Sequence, residues 1–298
     1  MTLWLPDANE TLIARVAVGF ATGAATPVAN MRWFRDTERR DIQDELRGWP
    51  EGPRFIARGE SDRRLRKGAK FGAGVLLVAT LGVLESLAGS GSTGNAATLG
   101  SPDEPENEVE DFPVMWAAPN TLARTLPWQL DPARRPKTNR THLVVTDRRV
   151  LILGLRDGKG DPADQILWET ERSNIASATR KEFSRYDTDF TIVFTDGSWC
   201  RLAGWNTNCR DDATRSLENP LHLMTPDDLT PGQQRAVREL LEGKDAGGTL
   251  LLYRRPSGNV YVTYQFDDRV DPTYGVGSAA FKLMNPDGEN AHFQKGDI

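Results

Sequence analysis

Residues 140–155 read RTHLVVTDRRVLILGL. Eight of these sixteen positions are Val, Ile or Leu, in two short runs on either side of the polar turn Thr146-Asp147-Arg148-Arg149. Short aliphatic runs broken by a charged turn predict a β-hairpin whose two arms both face a core. The habit continues downstream, with short apolar stretches separated by Gly, Asp and Pro. Strands are expected near 121–130, 142–146, 150–155, 165–170, 178–183, 190–195 and 198–203. The pairs Asp157-Gly158 and Asp196-Gly197 supply tight turns. Strands this short at this spacing build barrels or sandwiches. Trp116, Trp128, Trp168, Trp199 and Trp205 then belong to the core or its rim, as large aromatics do on burial statistics.

The chain has 298 residues, 38 % of them hydrophobic and 27 % charged, which suits two ordinary domains or one with appendages. Its net charge of −5 disfavours non-specific binding to nucleic acid over the whole surface. The first ten residues, MTLWLPDANE, lack the basic and apolar regions of a signal peptide, which argues against export. Cys200 and Cys209 are the two cysteines, too few for a disulfide framework and wrongly spaced for zinc. A reducing cytoplasm is the expectation.

Composition divides the chain into a mixed N-terminal region 1–60, an apolar Gly/Ala-rich segment 61–89, a linker 90–111, a β domain 112–243 and a C-terminal hairpin and tail 244–298. In the first region, ETLIARVAVGF (10–20) reads as a strand or a short buried helix, since periodicity does not separate the two. Phe34, Glu38, Ile42 and Leu46 recur every four residues, a thin apolar stripe that predicts a solvated helix over 31–47.

Residues 62–88 predict one helix, with Ser61 as its N-cap. The uncharged run 71–84 is fourteen residues long, against the roughly 20 needed to span a bilayer. Gly68, Gly72, Val75, Ala79, Gly82, Ser86 and Gly89 fall on one face at alternating spacings of four and three. Such a stripe lets another backbone approach closely, as packed membrane helices do. In water these glycines weaken a lone helix by about 1 kcal/mol each, so packing or lipid must support it. Arg63, Arg64, Arg66, Lys67 and Lys70 form a basic flank suited to an anionic leaflet. Length and flank pull in opposite directions, and both lipid contact and a helix buried in protein stay open. Cations precede the helix and the six acids of 103–111 follow it, an order that would place the β domain outside the cell. Peripheral or partial insertion at the inner membrane is the expected form of any contact.

Beyond the β domain's strands, 206–229 reads as loop. Thr230-Pro231-Gly232-Gln233 opens a helix with a capping box, and Ala236, Val237, Leu240 and Leu241 form its buried face. TLLLYRRPSGNVYVTYQF (249–266) is a hairpin turning at 256–259. The tail from Asp267 has no periodicity.

The order of TLARTLPWQL, a basic loop, HLVVTDRRVLIL, a strand near ILWET, then FTIVFTDGS and a C-terminal helix resembles the bacterial pleckstrin-homology-like and GRAM-like modules, over about 112–243. The TDRR turn and the DGS turn carry the likeness. It implies an α+β fold, a seven-stranded bent antiparallel sheet or barrel capped by a helix. Ahead of it the sequence predicts a mainly helical N-terminal region with one long apolar helix. Members of the superfamily serve as binding and scaffolding modules, and some hold phosphoinositides on a basic loop between their first two strands. The matching loop here is DPARRPKTNR (131–140), with Arg134, Arg135, Lys137 and Arg140 as candidate anion or lipid ligands. A solvated loop tip is the simpler alternative, because charge runs usually face water. In the TDRR turn, one of Arg148 and Arg149 is expected to lay its stem on the sheet and pair with an acid.

Other chemistry finds no support. His142, His222 and His292 have no partner at i+4, so no zinc site is expected, and His142 reads as a packed or edge histidine. Cys200 lies on a strand with no basic helix start nearby, the setting of an inert thiol. The glycines at 72–74 and 89–91 lack the Lys-Ser/Thr ending of a phosphate loop. The expectation is a non-catalytic binding or scaffold protein, cytoplasmic and peripheral to the inner membrane if 62–88 touches lipid. Its partner would be a protein or an anionic lipid surface, with oligomers allowed and with no nucleic acid, cofactor or metal. The alternatives are a wholly soluble protein with 62–88 in its core or an oligomer seam, and an enzyme of a class the motifs do not reveal.

Overall fold

Strand β1 (Leu12–Phe20) runs through the middle of the molecule, and all nine of its residues are buried. The computed structural model describes residues 3–23, 32–51, 113–156, 163–181, 184, 186–294 and 296–297. The other strands, in chain order, are β2 (Phe34–Arg35), β3 (Met115–Trp116), β4 (Asn139–Thr146), β5 (Arg149–Arg156), β6 (Asp164–Glu171), β7 (Ile175–Arg180), β8 (Asp189–Phe194), β9 (Trp199–Gly204), β10 (Thr249–Arg254), β11 (Val260–Asp271) and β12 (Gly275–Met284). Two α-helices are described, α1 (Thr207–Ser216) and α2 (Pro231–Leu241).

One edge of β1 pairs with β4. Its other edge meets β12 at Val16 and then β9 over Val18 to Phe20. Two runs of sheet therefore share this strand. One reads β10-β11-β12-β1-β4-β5-β6, and the other branches through β9 to β8, β7, β3 and β2. Seven antiparallel strands follow one path, β7-β8-β9-β1-β4-β5-β6, and its two end strands are joined by the short turn 172–174.

The β4–β5 hairpin explains why the decisive stretch is apolar throughout. Leu143, Val145, Val150 and Ile152 enter the main core with Ile13, Val16 and Phe20. Val144, Leu151 and Leu153 face the other way, onto Leu12 and Val276. A period of two with both faces covered needs an aliphatic residue at every position. Each fully buried Val, Leu or Ile here contributes roughly 1.5–3 kcal/mol. The second face is covered by the β11–β12 hairpin. Gly275 sits at φ +107, where a Cβ would lie 1.9 Å from the Arg15 carbonyl oxygen, so only glycine lets this turn reach β1.

The expectation of a mainly helical N-terminal region does not hold. Residues 12–20 are the central strand, decided by pairing on both edges, which local periodicity does not contain. The helix expected over 31–47 is replaced by β2 and a single 3-10 turn, Gln43–Glu45. Asp36 takes the backbone N–H groups of Glu38 and Arg40 at 2.9 and 2.8 Å, and Arg39 adopts a left-handed φ of +67. A side chain that bonds its own backbone in this way competes with the helix. The expected helix 62–88, with its small-residue stripe and basic flank, lies outside the described residues. The two described helices are ten and eleven residues long, and no long apolar helix occurs among the described residues. No helix there is long and apolar enough to cross a membrane.

Three further readings change. Residues 121–130 are two 3-10 turns, Leu122–Thr125 and Trp128–Leu130, with Ala123, Leu126 and Leu130 buried. Their spacing of three and four, and Pro127 between them, suit turns better than a strand. The strand beside β4 is instead β1, from more than a hundred residues upstream. Residues 207–216, read as loop, form α1: the Asn206 side chain caps it by accepting from the Cys209 N–H at 2.8 Å. Cys209, Ala213 and Leu217 give α1 a sparse buried stripe that packs on β1, β7 and β9. The tail from Asp267 continues β11 and supplies β12. By contrast α2 starts at Pro231 with the Thr230–Gln233 capping box, as its sequence predicts. It packs Ala236 and Val237 on Leu252, Val262 and Met284.

Candidate functional site

The basic loop 131–140 leaves the second 3-10 turn and enters β4. Its opening, Asp131-Pro132-Ala133-Arg134, is a β-turn with Asp first and Pro second, residues suited to those places. The Asp131 carboxylate accepts the Ala133 N–H at 2.9 Å. Its main-chain oxygen accepts the N–H groups of Arg134 and Arg135 at 3.0 and 3.1 Å. The loop rests on the end of β1, where a Cβ on Gly19 would meet Pro132 Cγ at 3.0 Å.

Asp131 is 1 % exposed and is the hub of the cluster. It pairs with Arg134 and, at 3.1 Å, with Arg32. Arg32 also donates Nε to the Phe20 carbonyl at 3.0 Å. Burial lowers the Arg32 pKa, Asp131 opposes that, and Arg134 adds to it. Arg134 lies over the Trp49 ring, 6.0 Å to its centroid, and Arg140 over Trp205 at 4.7 Å. Both are cation–π seats that hold a guanidinium in place.

Arg135 differs from its neighbours. Its guanidinium donates to Thr141 Oγ1 at 2.5 Å, and that hydroxyl donates in turn to the Val18 carbonyl at 2.6 Å. Among the described residues no carboxylate pairs with Arg135. Burial pushes its pKa down to about 10, Arg140 and Arg32 push the same way, and only Asp131 opposes them. A cation in this state gains from any anion that reaches it. Lys137 stands apart, exposed at the tip between exposed Pro136 and Thr138.

The structure thus gathers Arg134, Arg135 and Arg140 in one cluster and leaves Lys137 in water. Arg32, Asp131, Thr141 and Trp49 were not singled out from the sequence, and Trp205 was read there only as a core or rim residue. The Asp-Pro pair at 131–132 is a readable turn, but nothing local marks Arg32 as its neighbour from a hundred residues away. The small-residue stripe and the basic flank of 62–88 lie outside the described residues.

Other candidates are structural. His142 is fully buried. Its Nδ1 accepts from Arg15 Nε at 3.1 Å, which leaves Nε2 to donate to the Pro272 carbonyl at 3.0 Å. Arg15 grips Asp164 with both terminal nitrogens, at 2.8 and 2.7 Å. Arg149 is the turn arginine that pairs with acids: it bonds Glu10 at 2.7 Å and reaches Asp7 and Glu169. That pairing holds the Glu10 carboxyl down to about 2. Cys200 is buried and its thiol is pushed up to about 12, so it stays protonated at neutral pH. Among the described residues no group of three His, Cys, Asp or Glu is placed to hold a metal.

No family model, curated protein or solved structure matches the chain.

Proposed function

We propose that the chain is a non-catalytic binding or scaffold protein and that the loop 131–140 receives a phosphate-bearing lipid surface. One observation carries the reading: Arg135 is a half-buried cation bonded to a single neutral hydroxyl and flanked by Arg32 and Arg140. Leaving a guanidinium so poorly answered costs stability, and two oxygens of a phosphate would supply the missing bidentate partner. Lys137 at the exposed tip is placed to meet the same surface first. The likeness of HLVVTDRRVLIL and FTIVFTDGS to pleckstrin-homology-like and GRAM-like modules supports a binding role.

Vesicle co-sedimentation of the full chain tests the reading. Binding to phosphatidylglycerol vesicles but not to phosphatidylcholine, weakened by salt and lost in Arg135→Met, is expected. No sedimentation at low salt, or sedimentation that Arg135→Met leaves unchanged, rejects the lipid surface. Capture of an acidic protein by the same loop without vesicle binding would do the same.

A further inference from the structure

A second set of poorly answered cations lies at the TDRR turn, on a different part of the sheet. An open cleft of about 560 Å³ is bounded there by Arg148 and Arg149 of the turn, Arg172 and Ser173 after β6, and Asn219 after α1. The walls are fixed to one another. The Arg172 N–H donates to the Arg148 carbonyl at 2.7 Å. The Thr146 hydroxyl accepts the N–H groups of Arg148 and Arg149 at 3.1 and 2.8 Å. The Asn219 amide donates to the Ile175 carbonyl at 2.8 Å.

The cleft lining holds three arginines against two acids, Asp147 and Glu171, which keep their charge. Arg149 is committed to Glu10, Asp7 and Glu169. Two acids stand on the rim, and both already accept from the protein. Asp147 takes the Thr11 N–H at 2.9 Å, and Glu171 takes the Ser173 hydroxyl at 3.2 Å. Arg172 is half-buried and spends its guanidinium on two carbonyls, Glu218 at 2.6 Å and Thr146 at 3.4 Å. Burial lowers its pKa, against the pull of Tyr253, Asp147 and Glu218. Arg148 is exposed. Among the described residues neither Arg148 nor Arg172 pairs with a carboxylate. One forked cation is thus bonded to two carbonyls at the wall, and a second is exposed at the mouth.

We propose that this cleft is a binding site for a small phosphate-bearing ligand, clasped between Arg172 and Arg148. The half-buried guanidinium would orient one phosphate, and the exposed one would close over it. Two guanidinium forks suit phosphate oxygens better than a single carboxylate. A volume of about 560 Å³ admits a ligand larger than phosphate itself. The site is independent of the loop 131–140.

Pyrophosphate is the probe, and the full chain is the sample. Phenylglyoxal modification followed by peptide mapping reads each arginine separately, so the cleft and the loop are told apart in one experiment. Protection of Arg148 by pyrophosphate, at concentrations that saturate in calorimetry, is expected. Calorimetric affinity should then fall about tenfold in Arg148→Ala, the loss of one charge-assisted contact, with an unchanged melting temperature. Arg148 is exposed and its side chain bonds to no other among the described residues, so this variant should fold. Unprotected Arg148, or an affinity that Arg148→Ala leaves unchanged, overturns the proposal. Protection confined to Arg135 would also overturn it, while supporting the loop.

Discussion

Two arginines of this protein, Arg15 in the strand pair β1–β4 and Arg135 in the loop 131–140, are answered in different ways. Under β1, Arg15 is 1 % exposed and grips Asp164, whose side chain is 2 % exposed, in a two-pronged ion pair. In the loop, Arg135 is half-buried and has one neutral hydroxyl. Removing a charge from water costs several kcal/mol unless a partner and hydrogen bonds restore it. The Arg15 network repays that cost within the chain, so its role is to fix the sheet. Arg135 is only half-buried and has no such network among the described residues, and the proposed lipid contact would answer it. The difference lies in the partners and in depth, since both side chains are of one chemical type but only Arg15 is fully buried.

The largest expected effect comes from breaking the answered pair. Asp164→Ala strands Arg15 beside His142 and should destabilise the fold by about 3–5 kcal/mol in urea unfolding. The double change Arg15→Met with Asp164→Leu should recover most of that loss, because it removes both charges together. A double variant as unstable as Asp164→Ala would show that shape, rather than charge, matters there.

Acid offers the next test. Burial, then Arg15, holds His142 down to about 4 in the folded chain, against 6.5 when unfolded. Between those values the unfolded chain binds the extra proton. Stability should therefore be fully present above about pH 6.5 and fall as pH drops towards 4, by about 3 kcal/mol. Glu10 acts in a lower window: its stabilising charge is lost as pH falls from 4.5 towards 2. Urea midpoints across pH 7 to 4 check the first, and in His142→Gln that slope should vanish.

At the unanswered arginine the expected balance reverses. Arg135→Met should change stability by no more than about 1 kcal/mol, since it removes one hydrogen bond together with one desolvated charge. Vesicle binding should nonetheless be lost. A stability loss like that of Asp164→Ala would place Arg135 with the structural arginines and end the comparison. The smallest effect belongs to Lys137→Ala, within about 0.5 kcal/mol in stability, with a weaker salt dependence of vesicle binding as its signature.

How much of this was legible varied by element. The β4–β5 hairpin was read from 140–155 because both of its faces are covered, which forces an aliphatic run. Helix α2 was read from Thr230 to Gln233 because a capping box is a local device. Helix α1 was missed because Cys209, Ala213 and Leu217 form its whole apolar stripe amid charged neighbours. Of the candidate site, Arg134, Arg135 and Arg140 were picked out by their density in one loop. What separates Arg135 from Arg134 was not readable, because Asp131 could have paired with either.

The amino-acid order alone determined the hairpins at 140–155 and 249–266, where α2 begins and which loop is richest in cations. These are matters of neighbours within a few residues, where propensity, alternation and capping act. Only the tertiary structure decided that residues 12–20 form the central strand, that α1 rather than α2 packs on β1, β7 and β9, and that Arg32 joins a loop a hundred residues away. Those outcomes depend on strand pairing and on who answers each buried charge, and both are settled by contacts between residues far apart in the chain.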